Sequence, residues 1–118
     1  MMISRHAKKK MRQRGFLKDD IDMIFRYGQI SMSFGHRNQK KMKIWLNGKS
    51  HNSALEEIKR SIRTTNEVRV QNRISGEEYQ KTVSDLKRLL QKVERAKNKL
   101  LIVSRAGSTI ITMYKKTK

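Results

Sequence analysis

Between Ser4 and Gly15 the apolar residues are few and four apart: Ala7 and Met11 make a thin stripe on a segment otherwise coated by Arg5, Lys8, Lys9, Lys10, Arg12 and Arg14. With Ser4 able to cap and Gly15 able to stop, the spacing predicts a short helix over Arg5–Arg14. A second helix is predicted from Lys18 to Tyr27. Asp19, Asp20 and Asp22 crowd its positive dipole end, Ile21, Ile24 and Phe25 form its buried face, and Gly28 ends it. The period then changes to two. Ile30, Met32 and Phe34 alternate with Ser31 and Ser33, and Met42, Ile44 and Leu46 alternate with Lys41, Lys43 and Trp45. This predicts strands over Gln29–Phe34 and Lys40–Leu46, joined by a turn at Gly35–Gln39, with Asn47-Gly48 punctuating the second.

Ser53 and Glu56 form a capping-box pattern, after which Leu55, Ile58 and Ile62 keep helical spacing. Thr64–Arg73 is ambiguous, since Val68 and Val70 suit a strand and the flanking periodicity suits a helix. Ser75 and Glu78 repeat the capping pattern, and Tyr79, Val83, Leu86, Leu90 and Val93 recur at steps of four and three. Ser53–Asn98 is therefore expected to be a helical hairpin, its stripe packed against the partner helix or, alternatively, forming a seam between two copies. Lys99–Val103 and Thr109–Tyr114, apolar and β-branched, predict two last strands joined at Ser104–Ser108 with Gly107 in the turn. The sum is an α+β chain read as one domain over 1–118. Two amino-terminal helices accompany a four-stranded antiparallel sheet, and the helical segment 53–98 is inserted between strands two and three.

Charge then narrows the function. The chain carries 29 Lys and Arg against 10 Asp and Glu, a formal +19. Such a field attracts polyanions, and nucleic acid is the polyanion that a basic domain most often meets. Ser53–Asn98 holds 11 basic and 7 acidic residues, a net +4, whereas the other 72 residues hold 18 basic and 3 acidic, a net +15. The polyanion is thus expected on the sheet and first helix. No segment approaches the ~20 apolar residues that span a bilayer, and no cleavable signal follows the basic amino end, so a cytoplasmic location without membrane contact is expected. With no cysteine and with His6, His36 and His51 far apart, neither thiolate chemistry nor a metal or cofactor is expected.

The ends of the chain carry a resemblance. His6, Ala7, Met11, Arg14, Gly15 and Phe16 fit an opening of the form S-x-H-A-x-x-R-M-x-x-R-G-[IF] that starts at Ser4, with Lys10 in place of the arginine. Ile102-Val103-Ser104-Arg105-Ala106-Gly107, Ile110-Ile111-Thr112 and Tyr114 fit a tail of the form V-V-S-x-x-G-x-I-I-T-x-Y-R, with Lys115 in place of its last arginine. Both stretches resemble an uncharacterised bacterial family of small proteins related to RelE/ParE toxins. The resemblance implies an antiparallel sheet flanked by two amino-terminal helices, and a cognate antitoxin as partner. RelE relatives cleave RNA, whereas ParE relatives inhibit a topoisomerase without cleaving. The expected function is that of a toxin acting as a metal-independent endonuclease, on RNA in preference to DNA. The alternative is a non-catalytic nucleic-acid-binding protein or a ParE-like topoisomerase inhibitor.

Metal-independent cleavage needs a proton acceptor for the attacking hydroxyl, cations on the phosphate and an acid for the leaving oxygen. His6 is the leading titratable candidate, because imidazole exchanges protons near neutral pH; its plainer role is to bond helix to sheet. Tyr114 is a candidate for catalysis or base stacking, set against packing, the usual role of an aromatic that ends a strand. Arg105, in the last turn, could reach phosphate. Lys41 and Lys43 share a strand face with Trp45 and form a possible phosphate-and-base platform. Arg12, Arg14 and Lys115 complete the expected nucleic-acid-binding set, with His36, beside Arg37, a weaker candidate.

Overall fold

In the computed structural model, residues 2–34, 40–104 and 109–116 are described. Their order is β1 (Met2–Ile3), α1 (Arg5–Gln13), α2 (Lys18–Tyr27), β2 (Gln29–Phe34), β3 (Lys40–Trp45), α3 (Gly48–Val70), α4 (Gly76–Ala96), β4 (Lys99–Ser104) and β5 (Thr109–Lys115). The Gly35–Gln39 turn, with His36, and residues 105–108, with Arg105, lie outside the described residues.

The sheet runs β1-β5-β4-β3-β2 and has five strands, not the expected four. Three of its pairings are antiparallel, but β1 lies parallel to β5, so the sheet is mixed. Two residues carry no hydrophobic period, so β1 has no signature in the sequence. It is formed from outside, by pairing with Thr109 and Ile110 and by the Ser4 N–H donating to the Ile110 carbonyl at 3.0 Å.

Alternation along the strands separates two faces. Ile44, Leu101, Val103, Ile110 and Met113 point into one core with Ala7, Phe16, Ile24, Ala54, Ile58 and Val93 from the helices. Ser4 both caps and docks α1: its Oγ accepts from Ala7 N–H and donates to the Ile111 carbonyl, each at 3.0 Å. The chain then reverses at Gly15, whose φ of 67° favours glycine, and drops Phe16 into the core. Asp20 folds back on the start of α2, where its carboxylate accepts from Leu17 N–H at 2.8 Å. Gly28 is needed for space. A Cβ there would collide with the Ile24 carbonyl and come within 2.9 Å of Ile44 Cγ2, so α2 could not sit as close to β3.

The helical hairpin begins earlier than the sequence pattern at Ser53 suggests. Asn47 is the cap of α3, its side chain accepting from Ser50 N–H at 2.8 Å, and Ser53 lies inside the helix. The ambiguous Thr64–Arg73 stretch is helical as far as Val70. Ser75 caps α4 by accepting from Glu78 N–H at 3.1 Å. The stripe on α4 turns inward: Leu86 and Leu90 pack on the core with Ile58 and Ile62, Val93 is fully buried, and Tyr79 bonds Asn66 of α3 at 2.7 Å. At the base of the hairpin Asn98, with φ 67°, returns the chain to the sheet, its N–H bonded to the Leu46 carbonyl at 2.8 Å.

Candidate nucleic-acid interface

The sheet face turned away from the helices is built by the residues out of phase with the core. Register places Trp45 of β3, Leu100 of β4 and Tyr114 of β5 in one row, and Lys43, Ile102 and Thr112 in the next. Lys41, opposite Ser104, continues the lysine side of the face. Such a row follows from the sequence alternation, because residues two apart on a strand share a face and adjacent strands lie about 4.8 Å apart.

Two aromatic rings, the half-buried Trp45 and the exposed Tyr114, stand on this face, and cations sit on both. Lys43 Nζ lies 5.2 Å and Lys116 Nζ 4.5 Å from the centre of the Trp45 ring. The Arg14 guanidinium lies 4.7 Å from the centre of the Tyr114 ring. Arg14 comes from the far end of α1, and it is held at the edge of β5 because its Nη1 donates to the Met113 carbonyl at 2.6 Å. Leu100, between the two aromatics in register, is buried, while Tyr114 remains 43% exposed. Trp45 Nε1 and Thr112 Oγ1 are buried without a hydrogen-bond partner among the described residues.

The structure joins some of the residues expected from sequence and separates others. Lys43 meets Trp45, and Arg14 meets Tyr114. Lys115 lies on the opposite face of β5 from Tyr114, opposite Lys99 in register. The second cation over Trp45, beside Lys43, is Lys116, which was not among the residues expected from sequence although it shares the parity of Tyr114. Arg12 stays on the outer side of α1, where it lines a shallow groove of about 370 Å³ with Arg5, Lys8 and Lys9. His6 is exposed in the first turn of that helix. It stands eight positions before Arg14, about 12 Å along a helix axis, so it does not share Arg14's place at Tyr114.

Two features outside this face also carry unusual polarity. His51, in the first turn of α3, is buried, and neither ring nitrogen has a hydrogen-bond partner among the described residues. Burial, and then the nearby charge of Lys97, lower its pKa from the ordinary histidine value. Asp20 and Lys99 form an ion pair inside the core. Among the described residues no cluster of three His, Asp or Glu side chains could hold a metal ion, and no helix is long and apolar enough to cross a membrane. Comparison with family models, curated proteins and solved structures finds no match for this chain.

Proposed function

We propose that this chain binds single-stranded nucleic acid on the open face of its sheet, with RNA as the first substrate to test. The observation that carries the reading is the Trp45 ring held beneath the ammonium groups of Lys43 and Lys116, in register with Leu100 and Tyr114. An exposed cation–π contact contributes about 0.5–1 kcal/mol, whereas a base stacked on an aromatic contributes about 1–3 kcal/mol. An unpaired base can therefore displace a lysine from the ring, and the freed ammonium then meets the adjoining phosphate. A duplex offers no base face to such a platform. Arg14 and Lys41 extend positive charge along both sides of the same face.

Trp45 is the chain's one tryptophan, so emission excited selectively from tryptophan, and not from Tyr27, Tyr79 or Tyr114, reports on this face alone. Titration with a single-stranded oligoribonucleotide is expected to quench that emission and to weaken steeply as salt rises, because each phosphate contact releases counterions. Binding without any change in Trp45 emission would place the polyanion elsewhere.

Cleavage of the bound strand is a second reading. It rests on the exposed Tyr114, whose ring carries the fixed Arg14 guanidinium, and on the RelE-like resemblance of the chain's two ends. Tyr114 would handle a proton while Arg14 stabilises charge on the phosphate. Tyr114→Phe is then expected to retain binding and lower cleavage in EDTA by about 10²–10⁴. If the wild type cleaves neither RNA nor DNA, with or without added metal, the chain is a binder only.

A further inference from the structure

The strand β2 forms one edge of the sheet, with β3 on its inner side and no strand beyond it among the described residues. Ile30 and Met32 pair with Ile44 and Met42, so they point to the helix-covered face. The helical layer stops short of them: Ile30 is 61% and Met32 56% exposed, whereas Ile44 is buried. An unpaired edge bearing exposed apolar residues on one face is a template for another strand.

The edge opens at Gln29 into a cleft of about 370 Å³ between the end of α2 and the start of α3, lined also by Arg26, Tyr27, Lys49, Ser53 and Glu57. Two cations and one acid face it, on a chain of net charge +19. We propose that β2 docks an extended acidic segment of a partner polypeptide, which adds as a strand beside Gln29–Phe34. Its apolar side chains cover Ile30 and Met32, and a carboxylate at its end enters the cleft between Arg26 and Lys49. A second copy of this chain fits less well, because the same edge would bring two strongly positive molecules together. Ile30 and Met32 themselves lie on the sheet face opposite Trp45, so substituting them leaves the nucleic-acid platform intact.

The test uses the full chain and two acetylated octapeptides of equal composition, one alternating Val and Glu and the other with four Val followed by four Glu. Hydrogen exchange at the β2 amides is followed by NMR. The alternating peptide is expected to slow exchange of the outward-pointing amides among Gln29–Met32 at least tenfold, and the block peptide to leave them unchanged. The double variant Ile30→Lys, Met32→Lys is expected to bind the alternating peptide at least tenfold more weakly while keeping its thermal midpoint and its oligonucleotide affinity, since both positions are exposed. Equal effects of the two peptides would reduce the interaction to diffuse charge attraction and overturn the proposal. Unslowed exchange would overturn it too. Protection that grows with protein concentration in the absence of peptide would assign the edge to self-association instead.

Discussion

Lys99 Nζ lies 2.8 Å from Asp20 Oδ2, and both side chains are almost completely withdrawn from solvent. The pair ties α2 to β4 across 79 positions of sequence. The same carboxylate oxygen also accepts the Leu17 N–H, so one buried charge both caps a helix and anchors it to the sheet. The other oxygen has only the half-exposed Arg95 nearby, at 3.8 Å. Removing Lys99 would leave the buried Asp20 charge with only the more distant, half-exposed Arg95 to offset it.

Lys99→Met is therefore expected to destabilise the fold by about 3–5 kcal/mol, the usual cost of breaking a buried ion pair on one side. Adding Asp20→Asn should recover part of that loss, because the amide oxygen can still cap Leu17 while the stranded charge is gone. Urea denaturation of the single and double variants gives the comparison. A double variant no more stable than Lys99→Met would show that the carboxylate is not stranded in the single variant.

His51 supplies a dependence on pH. Burial and Lys97 lower its folded-state pKa, so between that value and the ordinary one near 6.5 the unfolded chain binds more protons than the folded one. Stability from this group is fully present above about pH 6.5 and falls as pH drops towards the folded pKa. Comparing thermal midpoints at pH 7.5 and 5.5 for wild type and His51→Asn isolates it. The variant is expected to lose less on acidification, and equal losses would remove His51 from the account.

Much of the sheet was legible because alternation is a local property. Ile44 and Leu46 against Lys43 and Trp45 announce a two-faced strand, and the same parity places Lys43 beside Trp45. The start of α3 was less so, since Asn47-Gly48 suits a turn as well as a cap, and Ser53 with Glu56 mimics a helix start from inside one. β1 exists only through its pairing with β5. Asp20 looked like one of three acids at a helix dipole, and nothing local distinguishes the one that meets Lys99. Arg14 and Tyr114 are likewise joined only by the way α1 lies along β5.

Gly28 tests how closely α2 must approach the sheet. Its φ of −67° suits any residue, so Gly28→Ala changes packing and not backbone preference. The added methyl meets the Ile24 carbonyl and Ile44, and overpacking of this kind costs about 1–3 kcal/mol. An unchanged urea midpoint would show that α2 can shift freely.

The sharpest test of the nucleic-acid face sets two adjacent lysines against each other. Lys115 and Lys116 are both exposed and differ by one position, so their contributions to the chain's overall field are equal. Only Lys116 lies over Trp45, while Lys115 projects from the other side of β5. If the open face holds the strand, Lys116→Ala should weaken binding of a single-stranded oligonucleotide and reduce the salt slope by about 0.7, the value for one phosphate contact on a single strand. Lys115→Ala should leave both nearly unchanged. Trp45→Ala should cost about 1–3 kcal/mol of binding with little change in slope, because stacking releases no counterions. Affinities measured at several salt concentrations separate the two terms. Equal losses from Lys115→Ala and Lys116→Ala would mean that the strand follows the overall charge and not this platform, and the binding reading would lose its site.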